Sequence, residues 1–138
     1  MNKGKKSLTA YISIPIKHEK ESLIIEAALN EIGIKVNNPC RIRGVNLPKD
    51  KIPLYVFREC IRMIDISDIG ILFLDYFGMD CSSELGRMMA QNKDVYGVAV
   101  SAPNEEAIAR LWPYTSVFKA RFGSVQEMKD YLKRLVCE

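Results

Sequence analysis

The sequence predicts an α/β domain in which helices cover both faces of a parallel sheet. Three observations carry that expectation. Apolar stretches of strand length alternate strictly with stretches of helical periodicity, five of each, and such alternation is the mark of βαβ units. Residues 69–74, IGILFL, are an almost unbroken apolar run, as a strand buried on both faces must be. The chain has 138 residues, 48% hydrophobic and 27% charged, enough for one core and too few for two.

The elements follow in order. Residues 8–14, LTAYISI, are β-branched and aromatic and lie between Ser7 and Pro15, which reads as a strand. Residues 19–32 place Leu23, Ile24, Ala27, Ala28 and Ile32 on one helical stripe, and Gly33 stops that helix. A short strand at 34–37 leads into a loop over 38–50 with two prolines and a glycine, a length usually tied to function or mobility. The segment 51–65 has Val56, Phe57, Cys60, Ile61 and Ile64 at helical spacing, with Asp50 as its cap and Pro53 tolerated in its first turn.

After the strand at 69–74, a helix is expected to begin near Ser82, followed by a strand at 94–100 and a helix capped by Asn104. A short strand at 117–120 and an amphipathic helix capped by Ser124 close the pattern, the helix turning Val125, Met128, Tyr131, Leu132 and Leu135 inward. The whole is expected to be one domain over 1–138, preceded by a basic tail at 1–7. The fold class is a flavodoxin-like or Rossmann-like doubly wound sheet of five parallel strands in the order 2-1-3-4-5.

That order locates a site. Ligands of such sheets bind beyond the carboxyl ends of the strands, where the winding direction switches, here between strands 1 and 3. Two loops meet there, PIKHEKE at 15–21 and DYFGMDCSSE at 75–84. Glu84 falls in the first turn of a helix beginning near Ser82, over unpaired amides and the positive end of the helix dipole, which hold a carboxylate ionised and its pKa low. An ionised carboxylate at the floor of a crevice suits attack on an electrophilic carbon, or stabilisation of an oxocarbenium ion. A first-turn glutamate also serves the dipole with no chemistry at all. A capping box is excluded because position 81 is Cys.

Asp75 and Asp80 are candidates for the acid that protonates a leaving group while Glu84 stays ionised. Asp80 and Asp68 are equally suited to capping and turn roles. Tyr11 is positioned to hold Glu84 across the crevice, or simply to pack. Lys17 and His18 after strand 1, and Arg41 and Arg43 after strand 2, are candidates for a phosphate, or form a solvated basic surface. Pro15, Gly78 and Ser82 border the same crevice and are expected substrate contacts.

The residues resemble a known family. LTAYISIPI at 8–16 is similar to the first-strand signature of nucleoside 2-deoxyribosyltransferases, Tyr-apolar-small-x-Pro. RECIRMIDISDIGILFLD followed by SSELGRMMAQNKDVYGVAV resembles their second signature, with Glu-Leu-Gly after an apolar strand. The Glu-Leu-Gly-Arg run and YTSVFKARFGSVQEMKDYLKRL resemble the related 2'-deoxynucleoside 5'-monophosphate N-glycosidases. The likeness runs over roughly 8–134.

The resemblance implies that Glu84 is a nucleophile forming a glycosyl-enzyme, that Tyr11 orients it, and that Asp68 is the acidic residue before the third strand. It also implies a homodimer or higher homo-oligomer, a hydroxyl from the region of Tyr114, Thr115 and Ser116 near a phosphate, and no metal or organic cofactor. The chain departs from the family just ahead of the glutamate. Asp80 and Ser82 stand where glycines are usual, and Gly78 stands where an Asp or Ser is usual.

Composition narrows the classes further. A net charge of +3 is too small for a nucleic-acid polymer as partner. No apolar run is long enough to span a membrane, and no signal-peptide pattern is present. Cys40, Cys60, Cys81 and Cys137 form no metal-binding spacing with the single histidine, so reduced thiols and a cytoplasmic location are expected. The functional expectation is cleavage of the N-glycosidic bond of a nucleoside or nucleoside 5'-monophosphate. A non-catalytic nucleotide-binding or sensing module using the same crevice is the alternative.

Overall fold

The computed structural model describes residues 7–43, 46–110 and 118–136. Five parallel strands form one sheet in the order β2-β1-β3-β4-β5, as the alternation predicts. The strands are β1 (Thr9–Ser13), β2 (Lys35–Asn37), β3 (Ile69–Phe73), β4 (Asp94–Val98) and β5 (Phe118–Phe122), and the helices are α1 (Glu19–Glu31), α2 (Ile52–Asp65), α3 (Met79–Ala90), α4 (Glu105–Ala109) and α5 (Val125–Val136). The loop over 38–50 contains two single 3-10 turns, Pro39–Arg41 and Lys49–Lys51, and a third, Ile16–His18, follows β1. No helix among the described residues is long and apolar enough to cross a membrane.

The sheet separates two cores because alternate strand residues point to opposite faces. On one face Ala10, Ile12, Ile14, Ile71, Phe73, Tyr96 and Val98 pack against Ile25 and Leu29 of α1 and Met128 and Leu132 of α5. On the other, Tyr11, Leu72, Leu74 and Val95 meet Ile64 of α2 and Cys81, Leu85 and Met88 of α3. α3 lies tight on the sheet at Gly70, the register partner of Tyr11. A Cβ on Gly70 would come within 2.2 Å of the Met88 sulfur, so a side chain there would force the end of Met88 to move.

Several local expectations hold. Gly33 adopts φ +87 just past α1 and its amide bonds to Asn30 O, a left-handed helix stop that glycine tolerates best. Asn104 caps α4 through Ala107 N at 3.0 Å, and Ser124 caps α5 through Glu127 N at 3.1 Å.

Others are corrected. The buried stripe of α1 is Ser22, Ile25, Glu26, Ala28 and Leu29, while Leu23 and Ile24 are exposed. The polar pair Ser22 and Glu26 can be buried because Asn38 and Arg41, distant in sequence, supply their hydrogen bonds. α2 has Lys51, not Asp50, at its cap position, and no side chain caps it; Asp50 belongs to the preceding 3-10 turn. Of the stripe expected on α2, only Ile64 is buried, and Phe57 is 61% exposed. β4 ends at Val98, and β5 runs to Phe122, beyond its expected end at 120. α3 begins at Met79 with Gly78 as its cap, three residues earlier than expected.

Candidate active site

α3 presents Cys81, Glu84, Leu85 and Met88 at i, i+3, i+4 and i+7. That spacing forms one helical face, and three of the four residues are fully buried against the sheet. The fourth is a carboxylate. Because the stripe faces β1, Glu84 is delivered to the strand's carboxyl edge, where Tyr11 and Ser13 share one face two residues apart. The Tyr11 hydroxyl donates to Glu84 Oε2 at 2.7 Å, and the Ser13 hydroxyl donates to Oε1 at 2.7 Å. Both donors are fully buried, whereas Glu84 keeps partial access to solvent.

The earlier start of α3 changes the electrostatics of Glu84. The first intrahelical bond runs from Ser82 N to Gly78 O, so the unpaired amides belong to Met79, Asp80 and Cys81, and Glu84 sits in the second turn. Burial raises its pKa above the ordinary carboxylate value, and the nearby charge of Asp80 adds to the rise. The Tyr11 and Ser13 hydrogen bonds pull the other way and do not win. The expected low pKa is therefore corrected: the carboxylate lies beyond the free amides and is desolvated.

Tyr11 is itself pushed far up, by burial first and then by the charge of Glu84, so it stays a proton donor. Cys60 and Cys81 border the same cluster, and burial pushes each thiol up to about 11. They remain neutral near pH 7, without the thiolate that nucleophilic or metal chemistry needs. Among the described residues, no group of three His, Cys, Asp or Glu side chains converges as a metal site would.

The two loops expected to meet at the switch point do meet. His18 lies 5.2 Å from the Phe73 ring and 5.3 Å from the Tyr76 ring, centroid to centroid. Lys17 Nζ stands 4.1 Å from the Tyr76 ring centroid, within cation–π range. The half-buried Pro15 accepts from His18 N through its carbonyl at 2.9 Å, closing the turn that aims both side chains.

The other sequence candidates are placed elsewhere or otherwise engaged. Asp68 stands before the amino end of β3, where its carboxylate takes Thr9 N at 2.9 Å and its own amide reaches Thr9 O at 2.8 Å. It is level with Thr9, four residues and about 13 Å along the strand from Ser13, so it joins two strands at the edge opposite the crevice. Asp75 accepts from the amides of Val100, Ser101 and Ala102 at 2.7, 2.7 and 3.1 Å. It pins the chain after β4 rather than pointing free into the crevice.

Arg41 closes on Glu26 with both Nε and Nη2, and Arg43 donates to Cys40 O at 2.7 Å and to Glu19 at 3.2 Å. The forks that the sequence offers to an anion are taken up by the chain's own acceptors. Ser82 bonds back to Gly78 O at 3.3 Å inside the first turn of α3. Gly78 has open space where a Cβ would stand, so no close approach demands glycine there. Asp80 is exposed one turn ahead of Glu84. Ser116, with Tyr114 and Thr115, lies outside the described residues. Ser13 escaped the sequence reading, although its spacing of two from Tyr11 within a strand was the available signal.

No protein-family model and no curated protein matches the sequence. Solved structures do. The 2-deoxyribosyltransferase of the psychrotolerant bacterium Bacillus psychrosaccharolyticus aligns with a TM-score of 0.70 at 19% identity, covering 89% of this chain and 91% of that one. A conserved protein from Enterococcus faecalis V583 aligns at 0.64 and 12% identity, over 94% and 99% of the two chains. The CMP N-glycosidase BcmB of Clostridium botulinum aligns at 0.59 and 16% identity, over 90% and 96%. The likeness extends along nearly the whole length of each partner, and at these identities it is a likeness of fold: this chain has the five-stranded doubly wound sheet seen in a deoxyribosyltransferase and in an N-glycosidase.

Proposed function

We propose that this chain cleaves the N-glycosidic bond of a nucleoside or nucleoside 5'-monophosphate and passes the sugar, by way of Glu84, to water or to another base. The observation that carries this reading is the carboxylate of Glu84, held by two buried hydroxyls at the carboxyl edge of β1 yet still open to solvent. The fold likeness to a deoxyribosyltransferase and a CMP N-glycosidase supports it.

In the first step one Glu84 oxygen bonds to C1' of the sugar as the C1'–N bond breaks. The base leaves with the bonding pair and takes a proton from water, passed on by Asp80 one turn ahead on the same side of the helix. In the second step water, or the nitrogen of another base, adds to C1'. The carboxylate departs with its electron pair, and the proton of the attacking group returns through the same relay. Tyr11 and Ser13 remain donors throughout, to the carboxylate and then to the ester. The raised pKa of Glu84 confines the reactive ionised form to pH above the ordinary carboxylate range.

The test is incubation with deoxynucleosides, nucleosides and their 5'-monophosphates, with and without an acceptor base, followed by chromatography. Release of free base is expected, with a new nucleoside when transfer operates. Folded protein that releases no base from any of them overturns the reading. The alternative, a non-catalytic nucleotide-binding module, is favoured by Asp75, whose carboxylate is committed to three amides and so leaves, among the described residues, an exposed acid as the one near Glu84. It predicts nucleotide binding without release.

A further inference from the structure

We propose that Ser13 is a second positioning residue for Glu84: the last residue of β1 takes Oε1 while Tyr11 takes Oε2, so the strand, not the helix, sets the plane of the carboxylate. This inference rests on Glu84 being the working group of the proposed reaction, but its geometry stands apart from any substrate.

The two donors differ in reach. Tyr11 is two residues deeper along β1, about 7 Å back from Ser13, and its long phenol spans that distance to Oε2. Serine has a single bond's reach beyond Cβ, so a 2.7 Å contact with Oε1 puts the carboxylate directly over Ser13. One oxygen alone would leave the carboxyl group free to rotate about its terminal torsion, which is broad and roughly two-fold. Two donors from one rigid strand fix that torsion.

The hydroxyl of Ser13 is fully buried, and its proton goes to Glu84. An ionised carboxylate is an acceptor only, and satisfies both hydroxyls at once. A protonated one would present a donor to one of them and disrupt the pair. Ser13 therefore favours the charged form against burial, in the same direction as Tyr11. Among the described residues, the titratable groups facing Glu84 are Tyr11 from β1, Cys60 from α2, and Asp80 and Cys81 from α3. Of these only Tyr11 donates a hydrogen bond to it, and Asp80 opposes its ionisation. Removing Ser13 thus removes one of two counterweights.

The experiment is a direct titration of Glu84 by NMR in full-length protein carrying side-chain 13C-glutamate, with the signal assigned by its loss in Glu84→Gln. The midpoint should move upward in Ser13→Ala and return toward wild type in Ser13→Thr, which restores the hydroxyl. A merely space-filling serine would change melting temperature and leave the midpoint alone, and an unmoved midpoint in folded Ser13→Ala overturns the proposal. If Ser13→Ala does not fold, Ser13→Cys, close in size with a weak donor, is titrated in its place under the same two outcomes. Where base release is measurable, Ser13→Ala should lower kcat about tenfold with KM little changed, the scale of a hydrogen bond to a charged group. A wild type without base release overturns the proposed function and leaves the titration to decide the role of Ser13.

Discussion

The two faces of the sheet are built from alternate residues of the same strands, and they do different work. On the α1/α5 face β1 contributes Ala10 and Ile12, and on the α2/α3 face it contributes Tyr11 and Ser13. Burial does not distinguish the two sets: Ile12, Tyr11 and Ser13 are all fully buried. What differs is how burial is made tolerable. Ile12 gains by leaving water, whereas the hydroxyls of Tyr11 and Ser13 are tolerated because Glu84 accepts from both, and Glu84 is tolerated because they donate. Both faces carry a hydrocarbon core, and the α2/α3 face also holds a charge where hydrocarbon would be more stable.

The sharpest way to test that contrast is Glu84→Gln. Under the proposed function, base release should fall by about a thousandfold or more, since the amide cannot form the glycosyl ester. Stability should move the other way. In the folded protein Glu84 titrates above the ordinary value of 4.5 because burial dominates. The folded chain thus holds this proton to higher pH than the unfolded chain does. The group's contribution to stability is full below 4.5 and is lost as pH rises through the folded value. The variant should therefore be more stable than wild type at pH 7, with the gap closing toward pH 4, as read by denaturant unfolding at both pH values. A variant less stable at pH 7 would mean that the two hydroxyls outweigh desolvation, and the contrast between the faces would fail.

The same contrast explains what could be read from the sequence. Strand order and helix placement were legible because apolar runs such as 69–74 and stripes such as Met128, Tyr131 and Leu132 report burial directly. Tyr11 and Glu84 were legible as a pair because topology alone brings β1 and α3 together. The start of α3 is not legible because Asp80 and Ser82 have the chemistry of caps but lie inside the first turn. The stripe of α1 is not legible because Ser22 and Glu26 look like surface residues until Asn38 and Arg41 stand beside them. Arg41, Arg43 and Asp75 show their charge in the sequence but not their partners, and the partners decide whether a charge is available to a ligand. Ser13 is not legible, because a small polar residue in a strand carries no meaning until something accepts its proton.

The hydrocarbon face gives the next largest effect. Ile12→Ala leaves a cavity between β1 and the helices of that side and should cost about 3 kcal/mol, lowering the melting temperature by about 10 °C. The titration midpoint of Glu84 should not move, because no hydrogen bond of the opposite face is touched. A moved midpoint would show that repacking behind the strand shifts Tyr11 or Ser13, and the two faces would then have to be treated as one.

The smallest effect concerns Asp75, the second carboxylate beyond the carboxyl end of the sheet. Its two oxygens collect three amides from residues 100–102, so it satisfies the backbone where Glu84 engages side chains. Asp75→Asn keeps one acceptor and turns an NH2 group toward amides that need another. The expected cost is about 1–2 kcal/mol of stability, with faster hydrogen exchange at those three amides and base release within a few-fold of wild type. An acid needed for departure of the base would give the opposite signature, with stability and exchange near wild type and kcat sharply reduced. The two readings of Asp75 separate because a group that accepts three N–H bonds has its lone pairs engaged before any substrate arrives, whereas Asp80 is exposed to solvent one turn from Glu84.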